Sequence, residues 1–327
     1  MLHDVDLIHI VRGGLLDCVH RGRLVVADTQ GSPVFAAGSA DERVYLRSIA
    51  KPFQAAAVIE TGAAERFGFT DQEIAIMAGS HNGTPEQVQI VTGILAKIGA
   101  QVSDLHCGAQ PPLDSHTARE LAARGKRGTA LHHNCSGKHS GMLAACIAQG
   151  WPIENYTHPA HPLQRWNLRT LAAAANIDPT QIGIALDGCS VPTFALPLRN
   201  IAAAFAQLGA APADTPLGRV ARAMAAYPTV YSGERRQDAA ITRATNGRLV
   251  AKDGAEGAFG IAVTDQGVGV ALKISDGAPR AQMPTLIAVL RRLGYLSESE
   301  AQTLETQYPR AITIHTGETA GEMQVVV

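Results

Sequence analysis

Ser48-Ile49-Ala50-Lys51-Pro52-Phe53-Gln54-Ala55-Ala56-Ala57-Val58-Ile59-Glu60 marks the point where short strand-like runs give way to an alanine-rich helical pattern. Ser48 and Lys51 stand three apart at the start of that helix, so hydroxyl and amine fall on one face and can meet. A serine hydroxyl is a weak nucleophile that needs a base. A lysine amine serves only when neutral, and its ordinary pKa is near 10.4. Bringing it to about 7–8 destabilises the ammonium by about 4 kcal/mol, which burial and a second nearby cation can supply. The helix N-terminus also favours negative charge developing at Ser48. Taken alone the pair is weak. Thirteen serines and six lysines in 327 residues give one such spacing by chance about one time in four. The plainer reading is a helix cap followed by a surface lysine.

Outward from this stretch, residues 6–11, 15–20, 22–28 and 34–37 are short apolar runs cut by Gly, Asp and Pro, the pattern of an antiparallel meander. Helical periodicity fills 84–99, 140–150, 161–177, 200–208 and 215–226, with Thr84-Pro85 as cap and first helical residue. Strand patterns return at 248–252, 257–264 and 267–274, and helices close the chain near 278–293 and 297–307. These periods predict an α+β fold. Residues 1–60 and 236–327 would build one antiparallel sheet, and a mainly helical region, 61–235, would be inserted between them as part of one catalytic unit. The active site would lie where the two meet.

Composition narrows the partners. Lys plus Arg number 28 and Asp plus Glu 29, and no basic run stands out, so nucleic acid is a poor partner and a small polar metabolite a better one. No run of about 18 apolar residues suggests a membrane span. The first residues lack the charged and apolar segments of an export signal, so a cytoplasmic location is expected. Five cysteines, widely spaced and odd in number, point to free thiols.

Two further motifs share the chemistry of the first. Ser80-His81-Asn82 is a Ser-x-Asn and Lys252-Asp253-Gly254 a Lys-x-Gly at the end of a strand pattern. An ordinary loop and a hairpin turn are their plain readings. In the order Ser-x-x-Lys, Ser-x-Asn, Lys-x-Gly they are similar to the three motifs that line the cleft of serine β-lactamases and penicillin-binding proteins, although the step from Ser48 to Ser80 is shorter than usual there. A separate cluster, His132-His133-Asn134-Cys135-Ser136-Gly137-Lys138-His139, is followed by Asp187-Gly188-Cys189. Its spacing is not that of a zinc finger. A metal site, a disulfide and two buried thiols beside a pocket all fit it. Asp187 reads either as a turn residue or as a partner for a substrate ammonium.

Together these residues resemble the asparaginase II family of the Rhizobium type, the class 3 L-asparaginases. The resemblance runs through Val11-Arg12-Gly13, His20-Arg21-Gly22, Arg47 to Gln54, Ala78 to Gly83, Cys107-Gly108, Asn134 to His139, Asp187-Gly188-Cys189, Arg236-Gln237-Asp238 and Lys252 to Gly257. It implies a serine β-lactamase-like fold and a cytoplasmic homodimer that hydrolyses L-asparagine to L-aspartate and ammonia. It implies two serine–lysine pairs, here Ser48–Lys51 and Ser80–Lys252, with either serine able to be the nucleophile. It implies a zinc ion (Zn2+) held by Cys135, Lys138 and Cys189 beside Asp187; His139 would be the more ordinary nitrogen ligand. On this reading Arg47, Asn82, Asp187 and His139 bind the substrate, with Arg47 taking its carboxylate. The sequence departs from the family pattern at Ala109-Gln110, at Tyr227-Pro228 where His-Pro is common, and at Ser190 where glycine is frequent. A β-lactamase or carboxypeptidase-like acyl-serine hydrolase, and a non-catalytic zinc or amino acid-binding protein, are the competing readings.

Overall fold

Alternation of buried and exposed side chains builds the main sheet from both ends of the chain. The computed structural model describes residues 3–327. Strand β1 (Val5–Arg12) pairs with β2 (Leu15–Asp28), and β3 (Pro33–Ala37) folds back on β2. Short β4 (Arg43–Tyr45) leads to the Ser48 turn. Gly22, read from the sequence as punctuation, does not break β2. A Cβ there would lie 2.1 Å from the Lys273 carbonyl oxygen, so this glycine allows β2 to continue where another strand passes close.

The helices follow as α1 (Lys51–Glu60), α2 (Ala63–Phe67), α3 (Asp71–Met77), α4 (Pro85–Ile98), α5 (Ser115–Ala123), α6 (Ser136–Gln149) and α7 (Pro162–Ala174). Thr84 caps α4 through a reciprocal box with Gln87, and Thr70 caps α3 with Glu73, each cap contributing about 1 kcal/mol. Strands β5 (Gly183–Leu186) and β6 (Pro192–Pro197) interrupt the helices and join β4 in a small sheet ordered β4-β6-β5. Then come α8 (Leu198–Ala210), α9 (Pro216–Ala226), α10 (Pro228–Tyr231) and α11 (Gln237–Ala244). The chain returns to the main sheet through β7 (Leu249–Asp253), β8 (Ala258–Val263) and β9 (Val268–Ile274), and passes along α12 (Gln282–Arg292) and α13 (Glu298–Gln307). It ends in β10 (Ala311–Thr313) and β11 (Thr319–Val325).

The main sheet runs β10-β11-β1-β2-β9-β8-β7, with β3 beside β2 and all pairings antiparallel. Both chain ends therefore share one sheet, and the expected α+β organisation is present. Leu24 and Val26 point to a core closed by α12 and α13, while Val25 and Ala27 point to the core of the helical body, the period-two alternation of a strand buried on both faces. The two regions drawn from the sequence interlock. Helix α1, assigned with the sheet, packs on α6, α7 and α9, and α8 from the helical part lies against β2, β8 and β9. No helix is long and apolar enough to cross a membrane among the described residues.

One buried latch ties the loop after α3 to the start of α6. His81 donates from Nε2 to the Ser136 hydroxyl at 2.8 Å, and its Nδ1 accepts the Gly83 N–H at 3.1 Å. This arrangement is that of a neutral ring, and burial pushes its pKa down to about 3. The unfolded chain binds a proton at this residue below about pH 6.5 while the folded chain does not, so stability falls with falling pH between those values. The loss is about 1.4 kcal/mol per pH unit at most. Urea unfolding is expected to show the His81→Gln variant losing about 2 kcal/mol less than the parent between pH 7 and pH 5. Equal losses in both proteins would show that His81 is not held neutral.

Candidate active site

Ser48 sits in a single tight turn, Arg47–Ala50, that runs directly into α1. Two neighbours fix the turn. From β6, the Phe194 carbonyl accepts the Leu46 N–H at 2.8 Å and the Thr193 hydroxyl accepts the Arg47 N–H at 3.2 Å. From the end of β7, Gly254 lies so close that a Cβ would be 3.1 Å from the Leu46 carbonyl oxygen. The glycine of the Lys-x-Gly motif is thus explained by contact with the serine turn. Ser80 follows α3, and the adjoining Gly79 rests against Tyr231, where a Cβ would meet the carbonyl oxygen at 1.9 Å.

The lysines are not paired as the sequence suggests. Lys51 donates to the Ser80 hydroxyl at 2.8 Å and to the Asn134 carbonyl at 3.4 Å; among the described residues it makes no hydrogen bond to Ser48. The amine is buried, which lowers its pKa; Cys135 opposes that shift, and Lys138 and Lys252 add to it. No carboxylate pairs with it among the described residues. Lys252 is also fully buried but turns the other way. It binds the Asp238 carboxylate at 3.1 Å, the Asp253 carbonyl at 2.7 Å and the Asp253 carboxylate. Arg236 closes the cluster by pairing with Asp253. Burial opposes ionisation of Asp253, but Lys252 and Arg236 outweigh it and hold its pKa down. Asp238 is pushed up by burial and by Asp253. The expected Ser80–Lys252 hydrogen bond is likewise absent among the described residues.

A cavity of about 200 Å³ opens in front of this cluster, lined by Arg47, Ser48, Asn134, Cys135, Asp187 and Cys189 among others. Ser48 is half-buried and reaches it, whereas Ser80 is buried and does not line it. Arg47 donates from Nε to Asp187 at 2.9 Å. Burial would raise the Asp187 pKa, but the Gly188 N–H, Lys138 and Arg47 hold it below the usual carboxylate range. Arg47 and Ser190 have φ of 51° and 72°, in the left-handed region. The glycine frequent at the latter position in the resembling family suits that backbone without strain. Two expected substrate-binding residues lie elsewhere. His139 is fully buried, with Nδ1 on the Tyr156 hydroxyl at 2.6 Å, and does not line the cavity. Asn82 packs against Gly233.

Cys135, Lys138 and Cys189 do come together. Lys138 donates to the Cys189 sulfur at 3.0 Å, and Cys135 and Cys189 are in hydrogen-bonding contact. That contact, with Lys51 and Lys138 helping against burial, holds the Cys135 thiol well below its ordinary pKa. All five cysteines are free, so the disulfide alternative is not the state present. Among the described residues no three His, Cys, Asp or Glu side chains converge as a metal site. A third ligand would therefore be the Lys138 amine. Two thiol sulfurs and one nitrogen suit zinc by donor type. The Lys138 amine, 3.0 Å from the Cys189 sulfur, would have to be neutral to serve as that ligand. The Nε2 atom of His139 is buried without a hydrogen-bond partner among the described residues.

Sequence reasoning gave no role to Asp238, Tyr231 or His133. Tyr231 is buried with its hydroxyl on the Ala251 carbonyl at 2.8 Å, and its backbone supports Gly79. His133 lines the cavity. For Asp238 a signal was present, a lone carboxylate heading the apolar run Ala239-Ala240-Ile241.

Among solved structures the chain is similar to a β-lactamase from Mycobacterium bovis, with 13% identity, 83% of this chain and 94% of that chain covered, and a TM-score of 0.44. It is also similar to a protein called Mglu, with 13% identity, 84% and 66% covered, and a TM-score of 0.35. No curated protein matches it. The family model described as L-asparaginase II matches residues 8–325. With nearly its whole length matched, the chain belongs to the L-asparaginase II family.

Proposed function

We propose that this protein hydrolyses L-asparagine to L-aspartate and ammonia, with Ser48 as nucleophile and Lys51 as its base. The observation that carries the reading is the buried Lys51 amine. It has no carboxylate to hold its proton among the described residues, and it bonds the Ser80 hydroxyl and the carbonyl of Asn134, a residue that lines the same cavity as Ser48. At about 200 Å³ the cavity is below the ~300 Å³ at which pockets for drug-sized ligands begin, which favours an amino acid amide over a bicyclic β-lactam or a peptide stem.

Neutral Lys51 takes the Ser48 proton as the oxygen attacks the side-chain amide carbon. Backbone N–H groups of the Ser48 turn stabilise the oxyanion. Lys51, positioned by Ser80, returns its proton to the departing ammonia, and the same base then activates the water that releases aspartate. Asp187 takes the substrate ammonium and Arg47 its carboxylate. Lys252 acts differently from a second base: clamped by two carboxylates, it stays an ammonium, and its charge helps to keep Lys51 neutral. Cys135, Lys138 and Cys189 would hold zinc, which would supply positive charge that orients the polar end of the substrate. The protein acts in this reading as a cytoplasmic homodimer; five free thiols support a reducing compartment, and the dimer rests on the family resemblance.

Ammonia release from millimolar L-asparagine tests the reaction, with glutamine and a chromogenic β-lactam as comparisons. Turnover of the β-lactam and none of asparagine would sink it. Ser48→Ala is expected to lower kcat by about 10⁶ and Ser80→Ala by about 10². The reverse ranking would move the covalent bond to Ser80.

The two lysines separate by stability. Lys252→Met strands two buried carboxylates and is expected to cost about 3–5 kcal/mol in urea unfolding. Lys51→Met strands none, so it should fold with parental stability while losing activity. Equal losses would overturn the permanent charge on Lys252. For the metal, elemental analysis of purified protein is expected to find one zinc per chain, lost in Cys135→Ser and Cys189→Ser. Parental zinc content in both variants would place any metal elsewhere.

A further inference from the structure

A second cavity, of about 340 Å³, adjoins the first; Arg23, Arg43, Tyr45, Arg47, Glu256 and Lys273 line it. Arg47 lines both cavities. Four of these side chains are cationic and one is anionic. Arg23, only 4% exposed, is met by Asp4 and Glu42, and Arg47 by Asp187. Arg43 and Lys273 have no ion-pair partner among the described residues. The Lys273 ammonium instead donates to the Glu256 carbonyl. Burial lowers the Lys273 pKa, Glu256 resists, and Arg23 adds to the lowering. Asp276 and Asp4 also favour the Lys273 charge from a distance, and a bound anion would give Arg43 and Lys273 the direct partner they lack.

The wall between the cavities is strained. Ala255 lines the first cavity and Glu256 the second. Glu256 and Arg47 hold φ of 59° and 51°, left-handed conformations that crowd the Cβ against the backbone. Such strain persists only where the surroundings over-determine it. Here it keeps Arg47 between Asp187 on one side and Glu256, 3.9 Å away, on the other.

We propose that this second cavity binds a small dianion, a dicarboxylate or a phosphate, held by Arg43 and Lys273, and that Arg47 links its occupancy to substrate binding. Guanidinium forks and an ammonium suit such oxyanions. A dianion beside Arg47 weakens its attraction for a second carboxylate, so occupancy raises KM for asparagine. The link, though not the binding, rests on Arg47 taking the substrate carboxylate.

Calorimetric titration of the intact protein with succinate and with inorganic phosphate tests the site, with chloride at matched ionic strength as control. One saturable site for either dianion is expected, and none for chloride. Arg43→Gln and Lys273→Gln should each weaken it by about tenfold or more while leaving turnover without dianion unchanged. In the parent protein KM should rise saturably over the same concentrations, and in Arg43→Gln it should not. No saturable heat, or binding untouched in both variants, would overturn the site, the latter pointing to occupancy of the catalytic cavity. Binding with a fixed KM would overturn the link. Absence of asparagine turnover would fault the proposed reaction instead, with the calorimetry unaffected.

Discussion

Two lysine amines buried close together cannot both be charged without counterions, and the site is arranged around that constraint. Asp238 and Asp253 both bind Lys252, and Lys51 is left with a hydroxyl, a carbonyl and a thiol. The carboxylates thereby decide which amine keeps its proton. The energy involved is large: an unpaired buried charge costs several kcal/mol, far more than the roughly 1 kcal/mol of a hydrogen bond. Burial, Lys138 and Lys252 lower the Lys51 pKa, and Cys135 and Cys189 resist. Its basicity belongs to the cluster and not to the Ser-x-x-Lys spacing.

Holding that cluster requires backbones to approach more closely than side chains allow. Gly79 touches Tyr231, and Gly254 touches the Ser48 turn. The first sets Ser80 against Lys51; the second sets the end of β7, with Lys252, against the start of α1. Tyr231 also hangs its hydroxyl on the Ala251 carbonyl, next to Lys252. One aromatic residue therefore connects the Ser-x-Asn loop to the Lys-x-Gly strand, although neither motif contains it.

Much of this was readable before the fold was known, and the unread part has physical reasons. The meander, the inserted helices and the returning strands follow from apolar period. β10 and β11 did not show because they lie at the sheet edge with few buried side chains, and β6 did not because prolines bracket it. The hydrogen bonds expected between Ser48 and Lys51 and between Ser80 and Lys252 are replaced by Lys51–Ser80 and Lys252–Asp238 contacts. Spacing of three on a helix says which side chains can meet, while a lysine stem reaches far enough to choose a partner 29 residues away. Asp238 was passed over because a buried carboxylate is written with the same letter as a solvated one.

The cysteine cluster shows where the same reasoning leads to two states of one site. As the residues stand, an ammonium at Lys138 faces two sulfurs, and Cys189 and Cys135 raise its pKa against the effect of burial. Thiolate and ammonium then neutralise each other and the cluster needs no ion. For these residues to hold zinc, both the Lys138 ammonium and the Cys189 thiol would have to give up a proton, and the ion would supply the positive charge. Both states present one positive centre to the sulfurs at the same place, so the charge felt by Asp187 and by the cavity changes little between them. In the proposed reaction neither state requires the ion to make the nucleophile, because Ser48 and Lys51 supply nucleophile and base. As it stands, the cluster sets Lys138 close enough to Asp187 to help hold that carboxyl's pKa down.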